Sequence, residues 1–368
     1  MTLFRPTTTP RLIVKIGSAL LVDSAGAVRR EWLAGVAADI ADRTRDGQQV
    51  AVVSSGAIAL GARRLKLPKG GRASLEDAQA AAATGQIALA GVWAELLGAE
   101  GLTAAQMLVT LDDLEDRRRY LNASATLDRL LSLGVVPVIN ENDSVATEEI
   151  RFGDNDRLAA RVAQAAGAGG VILLSDIDGL YDRNPVDPDA QHIARVERID
   201  AAIEAMADTR SSSGMGSGGM VSKIAAARIA ASAGCDLAIV SGRIERPLSA
   251  SARHTLFVAD KGSTARKAWL AGGLTAKGRL TIDPGAAKAL RGGASLLAAG
   301  VTAITGQFER GDVLEIDGPD GHPIARGLSE YPVRDAIRIK GLGRDAQEAA
   351  LGYAPRSALV HRDHLVLL

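Results

Sequence analysis

Residues 135–176, VVPVINENDSVATEEIRFGDNDRLAARVAQAAGAGGVILLSD, decide the fold. An apolar run ends at Asn140, a polar loop follows, the alanine-rich stretch DNDRLAARVAQAAG closes on Gly167, and a second apolar run, GGVILLSD, begins. Two short strands joined through a helix-length stretch form a β-α-β unit, and its strands lie parallel. The same rhythm continues on both sides. RLIVKIG, QVAVVSSG, TAAQMLVT and CDLAIVSG read as further strands, and EWLAGVAADIADRTRDG, the span from Leu75 to Leu97, RRRYLNASATLDRLLSLG and VSKIAAARIAASAG read as helices between them. The expected fold is α/β: an open, mostly parallel sheet with helices on both faces. In such sheets ligands gather at the carboxyl ends of the strands.

Beyond Ala259 the rhythm stops, and DKGSTARKAWLAGGLTAKG, rich in Gly and Lys, reads as a linker. The expected boundaries are an α/β domain over 8–260, a linker over 261–276, and a small, mostly antiparallel β-rich domain over 277–368. The strand-like pieces of the last part are LTIDPG, SLLAAGVTAITGQF, GDVLEIDGPDG, HPIARGLSEY and ALVHRDHLVLL. A chain that is 47% hydrophobic with 3% aromatic residues must build its core from Ala, Val, Leu and Ile, as helices on a parallel sheet do. Forty-three basic residues balance 43 acidic ones, which favours a small-molecule ligand over nucleic acid or a membrane. No run approaches the ~20 apolar residues needed to span a bilayer. The single cysteine, Cys235, and an N-terminus without a signal-peptide pattern fit a soluble protein of the reducing cytoplasm.

Lys15 lies inside an apolar strand, before Gly17 and Ser18. It is either an edge-strand lysine reaching water or a cation kept for an anionic ligand at a strand-to-loop turn. Ser54, Ser55, Gly56 and Ala57 end one strand and open a helix, where free N–H groups either take an anion or are simply capped. The loop after Val138 concentrates Asn140, Asn142, Asp143, Asp154, Asn155 and Asp156. These side chains could grip an ammonium group or position other charges, and some are ordinary turn formers. Ser175 and Asp176 end the strongest apolar strand, with Asp178 and Gly179 just beyond. The loop SSSGMGSGG leads into a helix that carries Lys223 in its first turn, a combination suited to phosphates. Gly214, Gly216 and Gly219 match GxGxxG, but no strand precedes them, and no Walker sequence is present. His361 and His364 show no metal-ligand spacing, and Cys235 reads as core.

Taken in order, IVKIGS, SSGAIALG, INENDSVA, FGDND, LLSDIDGLYDRNP and GMGSGGMVSK resemble the motif series of the amino acid kinase family. They are most similar to its branch that phosphorylates the side-chain carboxylate of glutamate at the head of proline biosynthesis. RLTIDPGAAKAL and the terminal ALGYAPRSALVHRDHLVL resemble the PUA domain of many bacterial members, so the likeness spans essentially the whole chain. It implies that Lys15 and Lys223 contact the transferring phosphoryl group, with Asp156 holding both. It implies that Ser55, Asp143 and Asn155 bind L-glutamate, supported by Asn140 and Asp154. ATP would be held by Lys15, Ser175 and Asp176 with Ser217, Gly218, Gly219, Met220, Val221, Ser222 and Lys223, and Mg2+ mainly through the phosphates. It further implies feedback inhibition by proline and a homo-oligomer, dimer or tetramer.

A glutamate γ-carboxylate is ionised at neutral pH and needs no general base, so two lysines and a metal can suffice. Three other readings compete. A related kinase could act on acetylglutamate, aspartate or a nucleoside monophosphate. An ATP- or amino-acid-sensing module would bind without turnover. An RNA-binding role of the PUA-like part lacks an electrostatic footprint, since residues 275–368 hold 12 Lys/Arg against 11 Asp/Glu.

Overall fold

The computed structural model describes residues 3–23, 27–145, 155–207, 219–249, 253–259 and 276–368. The chain divides into two compact units, Met1–Glu115 with Asn122–Lys261, and Asp116–Leu121 with Gly262–Leu368. The expected linker, 261–276, lies almost wholly outside the described residues.

The first unit is built on strands β1 (Arg11–Ile16), β2 (Gln49–Ser54), β3 (Ala104–Val109), β4 (Val136–Glu141), β5 (Gly170–Ser175), β6 (Leu180–Tyr181), β7 (His192–Ile193), β8 (Arg195–Val196), β9 (Asp236–Ser241) and β10 (His254–Phe257). Eight of them form one sheet in the order β3-β4-β2-β1-β5-β9-β10-β8, while β6 and β7 make a separate hairpin. The pairings from β3 through β9 are all parallel, as the crossover helices require. β10 runs antiparallel to β9. Neither β8 nor β10 was legible as a strand, because each is too short to show a period.

Helices α1 (Ser18–Leu21), α2 (Arg30–Arg45), α3 (Ala57–Leu65), α4 (Leu75–Ala99), α5 (Leu111–Glu115), α6 (Arg117–Ser132), α7 (Asn155–Ala166), α8 (Ala201–Ala207) and α9 (Met220–Ser232) complete the chain up to the sheet's last strands. The two-residue period of a strand sorts them. Leu12, Val14 and Ile16 of β1, with Val50 and Val52 of β2, Val138 of β4, and Ile172 and Leu174 of β5, pack on α2 and α4 through Leu33, Val36, Ile40, Leu89, Trp93 and Leu97. Burying each such side chain contributes ~1.5–3 kcal/mol. The alternate residues, Ile13 and Lys15 among them, face the other side, where α7 lies across β1, β2, β4 and β5 and α9 lies on β9. Lys15 therefore stands on an interior strand between Val53 and Leu173, and the edge-strand reading falls.

One expectation needs correction. α4 has 25 residues and is long and apolar enough to cross a membrane by length and composition. Ala78, Ala81, Gly85, Gln86, Leu89, Trp93 and Leu97 are buried on one side, as in a core helix. α3 crosses α4 at backbone contact: a Cβ on Gly61 would lie 1.7 Å from the Ala81 carbonyl oxygen, and one on Gly85 would lie 1.8 Å from that of Ala57. Only glycine fits at either place.

The second unit has a five-stranded sheet of β11 (Gly278–Ile282), β12 (Val301–Gly306), β13 (Val313–Asp317), β14 (Pro323–Leu328) and β15 (Leu365–Leu367), in the order β12-β11-β13-β14-β15. Three pairings are antiparallel and β11–β13 is parallel. Helices at Pro284–Arg291, Val333–Ile339 and Arg344–Leu351 cover its core of Leu280, Ile282, Leu290, Leu314, Ile316 and Ile339. The strand-like readings missed those helices. SLLAAGVTAITGQF is a strand only over Val301–Gly306, behind a helical turn at Ala298–Gly300.

Candidate active site

The carboxyl ends of the central strands carry the chemistry. The β1–β2 ladder is extended by the Ser55 N–H donating to the Ile16 carbonyl (3.2 Å), and the β1–β5 ladder by the Gly17 N–H donating to that of Leu174 (3.3 Å). Gly56 caps α3 with φ +104°, where a Cβ would lie 3.1 Å from Leu21 Cδ2, so glycine is required for the turn. Neither Gly56 nor Gly219, which caps α9, provides a side-chain hydrogen bond, and neither helix has an acidic residue in its first turn. Their leading N–H groups and dipoles remain suited to an anion.

Asp156, in the first turn of α7, is 1% exposed. Its Oδ1 lies 2.6 Å from Lys15 Nζ, and its Oδ2 lies 2.9 Å from Lys223 Nζ. Lys15 is 7% exposed and Lys223 5%, so three charges sit together away from bulk water. Burial opposes ionisation of Asp156, but the two ammonium groups outweigh it and hold the carboxyl below its ordinary range. One strand, one helix start and another helix start, far apart in sequence, thus place two cations on the two oxygens of one carboxylate.

Beside this triad runs a line of amides. Asn155 Nδ2 donates to Ser55 Oγ (2.8 Å) and to Asn140 Oδ1 (3.2 Å), and Asn140 Nδ2 donates to Gln86 Oε1 (2.7 Å). Asn140, Asn155 and Gln86 are all buried. Asp143, two residues past β4, is buried as well, and its Oδ1 has no hydrogen-bond partner among the described residues. Burial pushes its carboxyl up to about 6, against a smaller opposing pull from Arg72. Asn142 is turned to a local role and accepts from Ser144 Oγ at 2.6 Å. At the end of β5, next to β1 in the sheet, Ser175 Oγ donates to Asp176 Oδ1 (3.2 Å). Asp154, Ser217 and Gly218 lie outside the described residues.

Lys15, Asp156 and Lys223 are therefore one cluster, and Ser55, Asn140 and Asn155 another, joined through the adjacent residues Asn155 and Asp156. The sequence reading missed Gln86 and Arg72. Gln86 is one of two amides, with Gln79, in the alanine-rich run AQAAAATGQIALAG, so its presence there did not single it out, and Arg72 gave no signal. Cys235 is buried, its thiol pushed above its usual range by burial, consistent with a core residue.

A buried cation pair on one carboxylate, beside a line of buried amides at the ends of parallel strands, is the kind of site that suits a phosphoryl group. The sequence model of the amino acid kinase family matches residues 10–241, that of the PUA domain matches residues 278–348, and the chain belongs to the amino acid kinase family. It is 82% identical over 368 residues, all of both chains, to a glutamate 5-kinase of Sphingopyxis alaskensis. It is 62% identical to the glutamate 5-kinase of Zymomonas mobilis, over 99% of this chain and 93% of the relative. With that of Novosphingobium aromaticivorans the identity is 61%, over 100% and 98%.

Proposed function

We infer that the chain transfers the γ-phosphoryl group of ATP to the side-chain carboxylate of L-glutamate, giving L-glutamyl 5-phosphate and ADP, the first step of proline biosynthesis. The observation that carries this reading is Asp156 bridging Lys15 and Lys223 beside Asn155, whose amide donates to Ser55. Relatives named glutamate 5-kinase, matched over 93% or more of their length, support the substrate.

A γ-carboxylate oxygen of glutamate attacks the γ-phosphorus, and the bond to the β,γ-bridging oxygen breaks. The nucleophile is already an anion, so no residue has to take a proton. Charge spreads over the transferring oxygens and the bridging oxygen, and ammonium groups fixed in advance stabilise it without reorganisation. Asp156 accepts from both ammonium groups and so aims them at the same place although they are buried. The Asp143 acceptor, without a hydrogen-bond partner among the described residues, suits the substrate's ammonium, and the start of α9 at Gly219 suits the nucleotide's phosphates. Mg2+, when bound, neutralises phosphate charge, and phosphates are its usual anchor.

Incubation of the chain with Mg-ATP, L-glutamate and hydroxylamine is expected to give glutamyl hydroxamate. Product from acetylglutamate or aspartate but not from glutamate would overturn the substrate assignment.

Asp143 makes the reaction pH-dependent. With its carboxyl raised to about 6, ionisation is a cost to the fold above the unfolded value, while the ammonium of glutamate binds the ionised form. The KM for glutamate should therefore climb as pH falls below about 6. Asp143→Asn should raise KM at neutral pH and flatten that limb; a variant that keeps the acid limb excludes Asp143 as its source.

A further inference from the structure

We propose that Gln86 is a positioning residue that sets the direction of the Asn140–Asn155 amide relay, and that the Asn155 carbonyl so oriented receives the substrate's amino group. This rests on the glutamate reading above. Gln86 Oε1 takes the Asn140 Nδ2 donor, which turns Asn140 Oδ1 toward Asn155. Asn155 then directs its Nδ2 at both Asn140 and Ser55. Its Oδ1 is left buried, with no partner among the described residues.

A primary amide can be turned end for end, so the line has two senses. If Gln86 presented its NH2, Asn140 would present Nδ2 to Asn155, and Asn155 would offer donors where it now offers an acceptor. An ammonium group takes only acceptors. The sense chosen at Gln86 is thus transmitted through Asn140, the last residue but one of β4, to Asn155 at the head of α7. The α3–α4 crossing holds both ends of the line in place. Gly85, which admits no Cβ against Ala57, adjoins Gln86, and Ser55 lies two residues before Ala57.

Two variants test the relay in the full chain. Gln86→Met keeps length and apolar stem but removes the acceptor. Gln86→Glu keeps an acceptor and, when ionised, cannot donate, so it holds the observed sense. Gln86→Met is expected to raise the KM for L-glutamate about tenfold, the scale of one lost orienting hydrogen bond, with kcat and the KM for ATP unchanged. Gln86→Glu is expected to stay within about threefold of the parent KM, a fraction of that interaction. An unchanged glutamate KM in Gln86→Met overturns the proposal, as does an equal defect in both variants or a parallel change in the KM for ATP. Should Gln86→Met fail to fold, Gln86→Glu decides alone: a parental KM supports the relay and a tenfold rise overturns it. A parent chain inactive on glutamate overturns the underlying function, whereas an active parent with an unaffected Gln86→Met overturns the relay only.

Discussion

Lys223→Met is expected to lower kcat by about 10²–10³-fold while leaving the KM for L-glutamate nearly unchanged. Methionine keeps the apolar stem that packs at the start of α9 and removes only the ammonium group. Asp156 would still be paired with Lys15 at 2.6 Å, so the site keeps its counter-charge and the fold should tolerate the change. What disappears is a positive charge placed where phosphoryl oxygens become more negative, an interaction made in the transition state rather than with bound glutamate. Steady-state kinetics with glutamate and with ATP varied separately measures this. A variant with parental kcat would remove Lys223 from the reaction, and one with only a raised glutamate KM would move it to substrate binding.

Asp156→Ala should have a different and larger structural effect. It leaves Lys15 and Lys223, 7% and 5% exposed, facing one another without the carboxylate between them. Removing one partner from a buried ion pair costs about 3–5 kcal/mol, so the melting temperature should fall by roughly 10 °C at neutral pH, together with activity. The wild-type carboxyl is held below its ordinary value, so its stabilisation is complete above the unfolded carboxylate range, near pH 4, and is lost only as pH falls through the lower folded value. Stability attributable to Asp156 should therefore be flat across neutral pH. Calorimetry of parent and variant at several pH values would reject this account if the two melted together. The contrast between the variants separates roles: losing a lysine removes catalysis from a standing site, while losing Asp156 disturbs the site itself.

Much of this was legible along the chain because strands and helices announce themselves through local pattern. The six principal strands of the first unit carry continuous apolar runs, and a parallel sheet buried on both faces demands such runs. The strands at 195–196 and 254–257 were not legible, because a pairing of two to four residues is decided by the edge it joins. The helices of the second unit were hidden for a related reason: segments of seven or eight residues, such as Val333–Ile339, are held by the core they cover more than by their own period. In the site, Lys15 and Asp156 could be named as residues, but an edge-strand lysine and an ordinary turn former remained open readings of them. The position of β1 inside the sheet removed the first, and the two ion pairs removed the second.

Local pattern along the chain sufficed for the order of the six principal strands and the helices between them, the parallel sense of the main sheet, and a set of acidic and amide residues between two lysines. Those are local properties, written in hydrophobic period, chain length between strands and residue type. Only the tertiary structure decided that Lys15 and Lys223 meet on one carboxylate, because 208 positions separate them and the encounter depends on α7 and α9 lying on the same face of the sheet. It also decided that Gln86, reached through a helix crossing that admits no side chain on Gly61 or Gly85, belongs to the site. No pattern along the chain encodes that contact, which joins Gln86 of α4 to Asn140 of β4.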